Sequence, residues 1–125
     1  MRQEPYLLDE PRRAVVLKTV REVAKYRGWK LWAVHVRTTH VHVIVTAADT
    51  PEKVMADLKA WASRQLREAF AESADRDRWT QHGSTRWVDT EDSLAAAITY
   101  VIEEQGEPMA CYDGRSEASL DEPEA

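Results

Sequence analysis

Two histidines, His40 and His42, stand two positions apart among alternating apolar residues in the stretch Thr38–Val45. Successive side chains of a β-strand point to opposite faces, so the two imidazoles share one face and the valines between and after them share the other. Neutral imidazole is a common ligand of divalent metals. The pair therefore offers half of a metal site. The alternative is a pair of partly exposed histidines that form only hydrogen bonds.

A β-hairpin is predicted to position this pair. Residues 29–37 have the pattern of a strand, and Thr38–Thr39 connects it to the histidine strand, which is predicted to end near Thr46. His35, on the first strand, either lies near the histidine pair or is partly buried and bonds a backbone carbonyl. The strand alternation places Trp32, Val34 and Val36 on one face, and Leu31, Ala33, His35 and Arg37 on the other.

Three amphipathic helices are predicted, each starting at a side chain that can cap its first turn. They run from Asp9 with Pro11 to about Arg27 before Gly28, from Thr50–Pro51 to about Phe70, and from Thr90 to a stop at Gly106 and Pro108. Residues 71–77 have loop composition, and residues 78–80 and 85–88 are short strand candidates. Trp79 beside an arginine either stacks a nucleotide base or, as a packing residue, joins the core.

The third helix carries Tyr100, in the segment Ile98–Pro108. A histidine–hydrophobic–histidine strand followed by such a helix resembles the HUH single-tyrosine transposases, which include small insertion-sequence transposases and REP-associated tyrosine transposases. The similarity covers roughly Pro5 to Tyr112 and includes the segments 37–42 and 83–87. It implies an α+β, ferredoxin-like antiparallel sheet with helices on one face. That fold normally begins with a central strand before the first helix, and the sequence has no such strand.

The resemblance also implies a reaction. Tyr100 would attack single-stranded DNA and form a 5'-phosphotyrosine, while His40 and His42 would hold Mg²⁺ or Mn²⁺. Family members commonly supply a third ligand one helical turn after the tyrosine, which is the position of Glu104. Gln105 matches the familiar residue type, but it lies about 140 degrees around a regular helix from the tyrosine. Helix geometry favours Glu104, and Gln105 is the alternative because the helix ends there and its backbone can unwind.

The implied partner is single-stranded or hairpin DNA, and the implied assembly is a homodimer whose active site can combine histidines and tyrosine from different subunits. Polar and basic residues near the motifs are the candidate DNA contacts: Arg37, Thr39, Arg64, Ser84 and Arg86.

Length and composition predict one globular domain followed by a short tail. The chain has 125 residues, of which 43% are hydrophobic and 31% charged, as is usual for a globular protein. We predict a transposase-like catalytic domain over residues 1–112 and an acidic disordered tail over residues 113–125. Five acidic and one basic residue give this tail a net charge of −4, which leaves only −1 of the total −5 for the domain.

Other features restrict the class of protein. The single cysteine, Cys111, cannot form an internal disulfide and is predicted to be a small, buried or partly buried side chain. No apolar run reaches the length of a membrane span and no signal peptide pattern opens the chain, so a cytoplasmic protein is predicted.

Three alternatives to the cutting enzyme stay open: a domesticated or inactive hairpin-DNA-binding module of the same fold, an unrelated metal-dependent hydrolase, and a ferredoxin-like structural subunit.

Overall fold

The computed structural model describes residues 5–79 and 90–115. The predicted strand at 85–88 and the predicted DNA contacts Ser84 and Arg86 lie outside these residues. Within the two ranges, none of the helices combines the length and the apolar composition that crossing a bilayer requires. The helices and strands of the described chain are α1 (Glu10–Arg27), β1 (Lys30–Val36), β2 (Val41–Thr46), α2 (Pro51–Phe70), α3 (Glu91–Glu103) and β3 (Ala110–Asp113).

Capping side chains start these helices at the predicted residues. Asp9, Thr50 and Thr90 each accept a hydrogen bond from the backbone N–H three residues further on. α1 stops at Gly28, whose φ of 75° lies in the left-handed region that a residue without a Cβ adopts easily. α1 and α2 therefore have the predicted bounds, whereas α3 ends earlier than predicted, at Glu103.

β1 and β2 form the predicted antiparallel hairpin, with Thr38–Thr39 as its loop. The backbone N–H of Arg37 donates to the carbonyl of His40 at 2.7 Å, which closes the loop. Further along the hairpin, His35 pairs with His42. Directly paired residues of antiparallel strands project to the same face of the sheet, so these two imidazoles lie on one side.

A bulge at Trp32 changes the faces predicted for the start of β1. The pairing with β2 shifts by one residue between Leu31 and Ala33. An extra residue reverses the alternation on one side of the bulge. Leu31 therefore joins the buried cluster of Val34 and Val36, and Trp32 packs with Ala33. The predicted faces of Leu31 and Trp32 are wrong for this reason, since the residue pattern contains no sign of the bulge.

Strand β3 is absent from the sequence prediction. It pairs antiparallel with β1 and gives the strand order β2-β1-β3. The strand has four residues, all half-buried, which is too short a run for a clear alternation. Asp113, predicted as the start of the tail, pairs with Ala33, and Gly114 packs against the backbone carbonyl of Leu31. Residues 116–125 lie outside the described part.

The segment before α1 forms no strand over residues 5–9. Instead it runs beside the hairpin loop, where the N–H of Leu8 donates to the carbonyl of Thr38 at 2.9 Å. In the described part of the chain, no strand pairs with the outer edge of β2. The predicted lack of a first strand is confirmed for these residues.

Two hydrophobic clusters lie on opposite faces of the sheet. Val34 and Val36 of β1 face α1 and α2, whereas Ala33 faces Ile98 and Val101 of α3. The predicted α+β class with an antiparallel sheet is confirmed. The expectation of helices on one face holds for α1 and α2 only, because the apolar stripe of α3 packs on the other face. The helix residues buried in the larger cluster are Val16, Val20, Val23, Ala24, Val54 and Leu66.

The chain after α2 is irregular, as predicted for residues 71–77. The strand predicted to start at Arg78 is wrong for Arg78 and Trp79, which also lie in irregular chain. The indole N–H of Trp79 donates to Ser63 Oγ at 2.7 Å, and its ring packs against the larger cluster. Trp79 is thus a packing residue, the second of the two predicted roles.

A carboxylate network joins the N-terminal segment, α1 and the chain after α2. Glu72 accepts hydrogen bonds from Tyr6 Oη at 2.7 Å, Arg12 Nε at 2.8 Å and Arg78 Nε at 3.0 Å. The side chain of Glu72 is only 11% exposed. Burial raises the pKa of this carboxyl, but the hydrogen bonds from Arg12, Tyr6 and Arg78 outweigh it and leave the pKa below its ordinary value.

We expect Glu72→Gln to lower the free energy of unfolding by about 1 to 3 kcal/mol at neutral pH, because the donors lose a charged acceptor. Since the pKa of Glu72 is lowered by folding, its contribution is complete above the ordinary value of about 4.3 and is lost as the pH falls through the lowered pKa. Denaturant unfolding between neutral and acidic pH measures this, and the deficit should shrink in acid.

Glu68→Gln is the matched control for this prediction, since Glu68 is an exposed glutamate near the end of α2. It should change the free energy of unfolding by less than about 0.5 kcal/mol. Equal losses at both positions, or a Glu72→Gln deficit that does not depend on pH, would contradict the role of the network.

Candidate active site

His40 and His42 lie on the face of the sheet that α3 covers. His42 pairs with His35, whose ring bonds the backbone of Val101 in α3. The rings of His40 and His42 are parallel, with 9° between their planes and 6.2 Å between their centroids. His40 is exposed and His42 is half-buried. The two imidazoles therefore share a face, as the strand alternation predicts.

The surroundings of His42 favour its neutral form. Burial lowers the pKa of His42, and the positive charges of His40 and Arg37 lower it further. Only the neutral ring has a free lone pair with which to bind a metal. The Nδ1 atom of His40 lies 2.8 Å from Thr39 Oγ1, which leaves Nε2 of His40 as its metal-binding atom.

The histidine pair fits a divalent cation in donor type. A metal–nitrogen bond is about 2 Å long, so the parallel rings must tilt towards each other for both to reach one ion. Among residues 5–79 and 90–115, no three His, Cys, Asp or Glu side chains cluster as a metal site. A third donor for such an ion would then come from an amide, a carboxylate that moves, a phosphate of bound DNA or a residue outside these ranges.

Tyr100 lies on the flank of α3, and 54% of its surface is exposed. Its neighbours Ile98 and Val101 are buried against the sheet. Consecutive helix residues point about 100 degrees apart, so the phenol emerges beside the buried stripe.

α3 ends one turn after Tyr100. The carbonyl of Tyr100 accepts hydrogen bonds from the N–H of Glu104 and from Nε2 of Gln105, both at 3.2 Å. Glu104 is the C-cap, with a φ of −117°, and its side chain is exposed. The chain unwinds beyond it, so the amide of Gln105 folds back to the same turn. The structure thus brings both predicted third ligands to the end of the tyrosine helix.

His35 is fully buried between β1 and α3. Its Nδ1 lies 2.9 Å from the carbonyl of Val101, and its Nε2 accepts the N–H of Met109 at 3.1 Å. Of the two predicted roles, the hydrogen bond to a backbone carbonyl is confirmed. With both ring nitrogens engaged, His35 is not available as a metal ligand.

Arg37 brings a positive charge to the same face. Its Nη1 donates to the carbonyl of Glu107 at 2.9 Å and lies 3.4 Å from His35 Nε2. The guanidinium is half-buried and close enough to His42 to lower its pKa. Arg37 therefore stands between the histidine strand and the chain that follows α3.

The other predicted DNA contacts lie on different sides of the sheet. Thr39 is exposed in the hairpin loop and touches His40. Arg64 is on α2, where its guanidinium lies 5.0 Å from the ring centre of Trp61, on the side of the sheet away from the histidines. The structure thus brings Arg37 and Thr39 to the histidine pair, and it does not bring Arg64 there.

A family model described as "Transposase IS200 like" matches residues 2–104. The chain belongs to this transposase family. No curated protein and no solved structure matches the chain. The matched residues include the histidine hairpin and the tyrosine helix, so the resemblance inferred from these motifs is confirmed.

Membership in the IS200-like transposase family gives the protein a role in DNA transposition and makes it a DNA-processing, DNA-binding enzyme. Transposases of this family usually depend on a metal, which agrees with the donor type of the histidine pair. Of the net charge of −5, residues 113–125 account for −4, so residues 1–112 are nearly neutral.

Sequence reasoning missed two contributions to this site of the transposase. It assigned no role to Met109, whose N–H holds His35, or to the carbonyl of Glu107, which holds Arg37. Both are backbone groups, so residue type carries no signal for them. His35 was the one residue whose type and position pointed to this part of the site. A hairpin with a two-residue loop pairs His35 with His42 and so places it beside the histidine pair.

We expect NMR titration of the transposase to give His42 a pKa below the ordinary histidine value of about 6.5, because burial and nearby positive charge oppose protonation. In His40→Gln one of these charges is removed, so the pKa of His42 should rise without reaching the ordinary value. Lys25→Gln, an exposed change on α1, should leave it unaltered. A wild-type value at or above about 6.5 would contradict this environment.

Proposed function

We propose that the protein cuts and rejoins single-stranded DNA through a 5'-phosphotyrosine at Tyr100. The observation that supports this most directly is the half-exposed phenol on a helix that packs on the same sheet face as His40 and His42. Family membership supports a transposase in general, and the tyrosine chemistry is the specific step that we propose.

The reaction exchanges one phosphodiester for another. The oxygen of Tyr100 attacks the phosphorus and loses its proton, while the bond from phosphorus to the 3'-oxygen breaks and that oxygen takes up a proton. A second 3'-hydroxyl reverses the exchange and rejoins the DNA. The number of phosphoester bonds is conserved, so no nucleoside triphosphate is needed.

In this proposal His40 and His42 hold Mg²⁺ or Mn²⁺. When bound, the ion polarises the phosphate and stabilises the leaving oxygen. Arg37 would bind a phosphate oxygen of the DNA, since its guanidinium lies on the histidine face and contributes to lowering the pKa of His42. Thr39 would contact the strand at the hairpin loop.

The remaining parts of the proposal concern partners. The DNA would be single-stranded or a hairpin, with Arg64, Ser84 and Arg86 as further contacts, and the protein would act as a homodimer in the cytoplasm. Arg64 would touch DNA that passes around to the α2 side, because it does not lie at the histidine face.

We expect wild-type protein with Mn²⁺ to form a covalent adduct with single-stranded oligonucleotides that carry hairpins from the DNA flanking its gene. Tyr100→Phe should abolish the adduct, because phenylalanine has no nucleophilic oxygen. His40→Ala and His42→Ala should lower its yield by at least roughly a hundredfold. Denaturing gel electrophoresis of labelled oligonucleotides measures the adduct, and a mobility-shift assay measures binding.

Tyr26→Phe is the matched control for the adduct experiment, since Tyr26 is also a helix tyrosine and is 76% exposed. It should form the adduct at the wild-type rate. An adduct that persists in Tyr100→Phe would contradict the proposed mechanism.

A domesticated or inactive hairpin-DNA-binding module is the second candidate. It is favoured by the lack of a three-residue His, Cys, Asp and Glu cluster in the described chain. Hairpin binding by wild-type protein without any adduct, with Mn²⁺ or Mg²⁺ present, would establish this candidate over the cutting enzyme.

For the third metal donor we expect Gln105 to act, because its amide nitrogen is held at the carbonyl of Tyr100 and its oxygen remains as a ligand. Gln105→Ala should raise the Mn²⁺ concentration for half-maximal adduct formation by at least roughly tenfold. Glu103→Ala, an exposed change in the same turn, is the control. If Glu104→Ala has the large effect and Gln105→Ala has none, Glu104 is the donor.

A further inference from the structure

His35 is the most completely buried polar ring in the described chain, with 0% exposure. It lies near the end of β1 and contacts three parts of the fold. Its Nδ1 bonds α3, and its Nε2 bonds the chain that follows α3. In the hairpin, His35 is paired with His42. The established role in transposition and the proposed tyrosine chemistry do not assign any task to this side chain.

The bond to α3 satisfies a helix end. The last four carbonyls of a helix have no intrahelical donor, and in α3, whose C-cap is Glu104, these belong to residues 101–104. The carbonyl of Tyr100 is bonded by Glu104 and Gln105, whereas that of Val101 is bonded by His35. A buried carbonyl without a donor is unfavourable, so the imidazole fixes where the last turn of α3 can lie.

The second bond fixes the ring itself. Nε2 accepts the N–H of Met109, so this nitrogen carries no proton and Nδ1 must carry it to donate to Val101. Bonds at both ends of the ring hold it in one plane. Arg37 adds a further connection to this chain through the carbonyl of Glu107. The strand, the helix end and the chain that follows are thereby joined at one side chain.

Apolar packing alone determines the position of α3 less sharply. The buried residues of its cluster are Ala33, Ile98 and Val101. Apolar contact is not directional, so a small cluster permits the helix to slide or turn, whereas a hydrogen bond to a particular carbonyl does not.

We propose that His35 is a positioning residue, which sets the last turn of α3, and with it Tyr100, relative to the histidine strand. Val101 follows Tyr100 directly, and His42 faces His35 across the hairpin. The buried ring of His35 therefore links the tyrosine helix to the histidine strand, which the proposed reaction must bring together. The inference rests on the proposed function, because it assigns His35 an effect on the tyrosine reaction.

The experiment compares two variants of His35 with a control in the same strand. His35→Leu removes both hydrogen bonds. His35→Asn keeps an amide nitrogen near the position of Nδ1 and so retains a donor for Val101. Val36→Ala is the control, because Val36 is equally buried but faces the opposite cluster. Thermal unfolding and circular dichroism establish a temperature at which all of them are folded.

The first readout is single-turnover adduct formation at saturating protein, with the same hairpin oligonucleotides and Mn²⁺. We expect His35→Leu to lower the maximal rate by roughly tenfold to a hundredfold while DNA affinity changes less than about twofold, because a small misplacement of a nucleophile slows chemistry and not binding. His35→Asn should recover a large part of the rate. Val36→Ala should react at the wild-type rate despite its lower melting temperature.

The second readout does not depend on the reaction. Hydrogen exchange measured by mass spectrometry should show faster exchange in peptides covering residues 97–104 of His35→Leu, and unchanged exchange there in Val36→Ala. A folded His35→Leu with wild-type rate or wild-type exchange overturns the inference. If wild-type protein itself forms no adduct, the proposed function fails, and the exchange data still decide whether His35 holds α3.

Discussion

The antiparallel register of β1 and β2 is the constraint on which the site depends. It pairs His35 with His42 and puts His40 beside them, before the first residue of β2. A slip of one residue would send these imidazoles to the α1 side, because alternation has a period of two. The short loop at Thr38–Thr39 and its closing bond at 2.7 Å hold that register.

The two faces of the sheet carry different kinds of groups. α1 and α2 form the larger apolar cluster, and the buried Glu72 network joins that side to the irregular chain beyond α2. The other face has a smaller cluster and contains most of the polar groups described for the site. The histidine face includes the exposed phenol of Tyr100 and the half-buried Arg37, whereas the larger apolar cluster lies on the opposite face.

Local signals in the sequence were sufficient for much of this fold. Capping residues and the proline after them gave the bounds of α1 and α2, and alternation gave the shared face of His40 and His42. Features that depend on distant chain were not accessible. β3 exists because β1 offers an edge, the bulge at Trp32 is a property of the strand pair, and the partners of His35 are backbone groups about seventy residues away.

The bulge at Trp32 makes the two ends of β1 differ in how a change of chain length would act on the sheet. The indole N–H of Trp32 donates to Thr46 Oγ1 at 2.9 Å, which holds the extra residue at the edge of the hairpin far from its loop. Gain or loss of a residue there would be absorbed locally, with Leu31 changing sides. A one-residue change at the loop end, in contrast, would reverse the faces of His35 and His42 relative to each other.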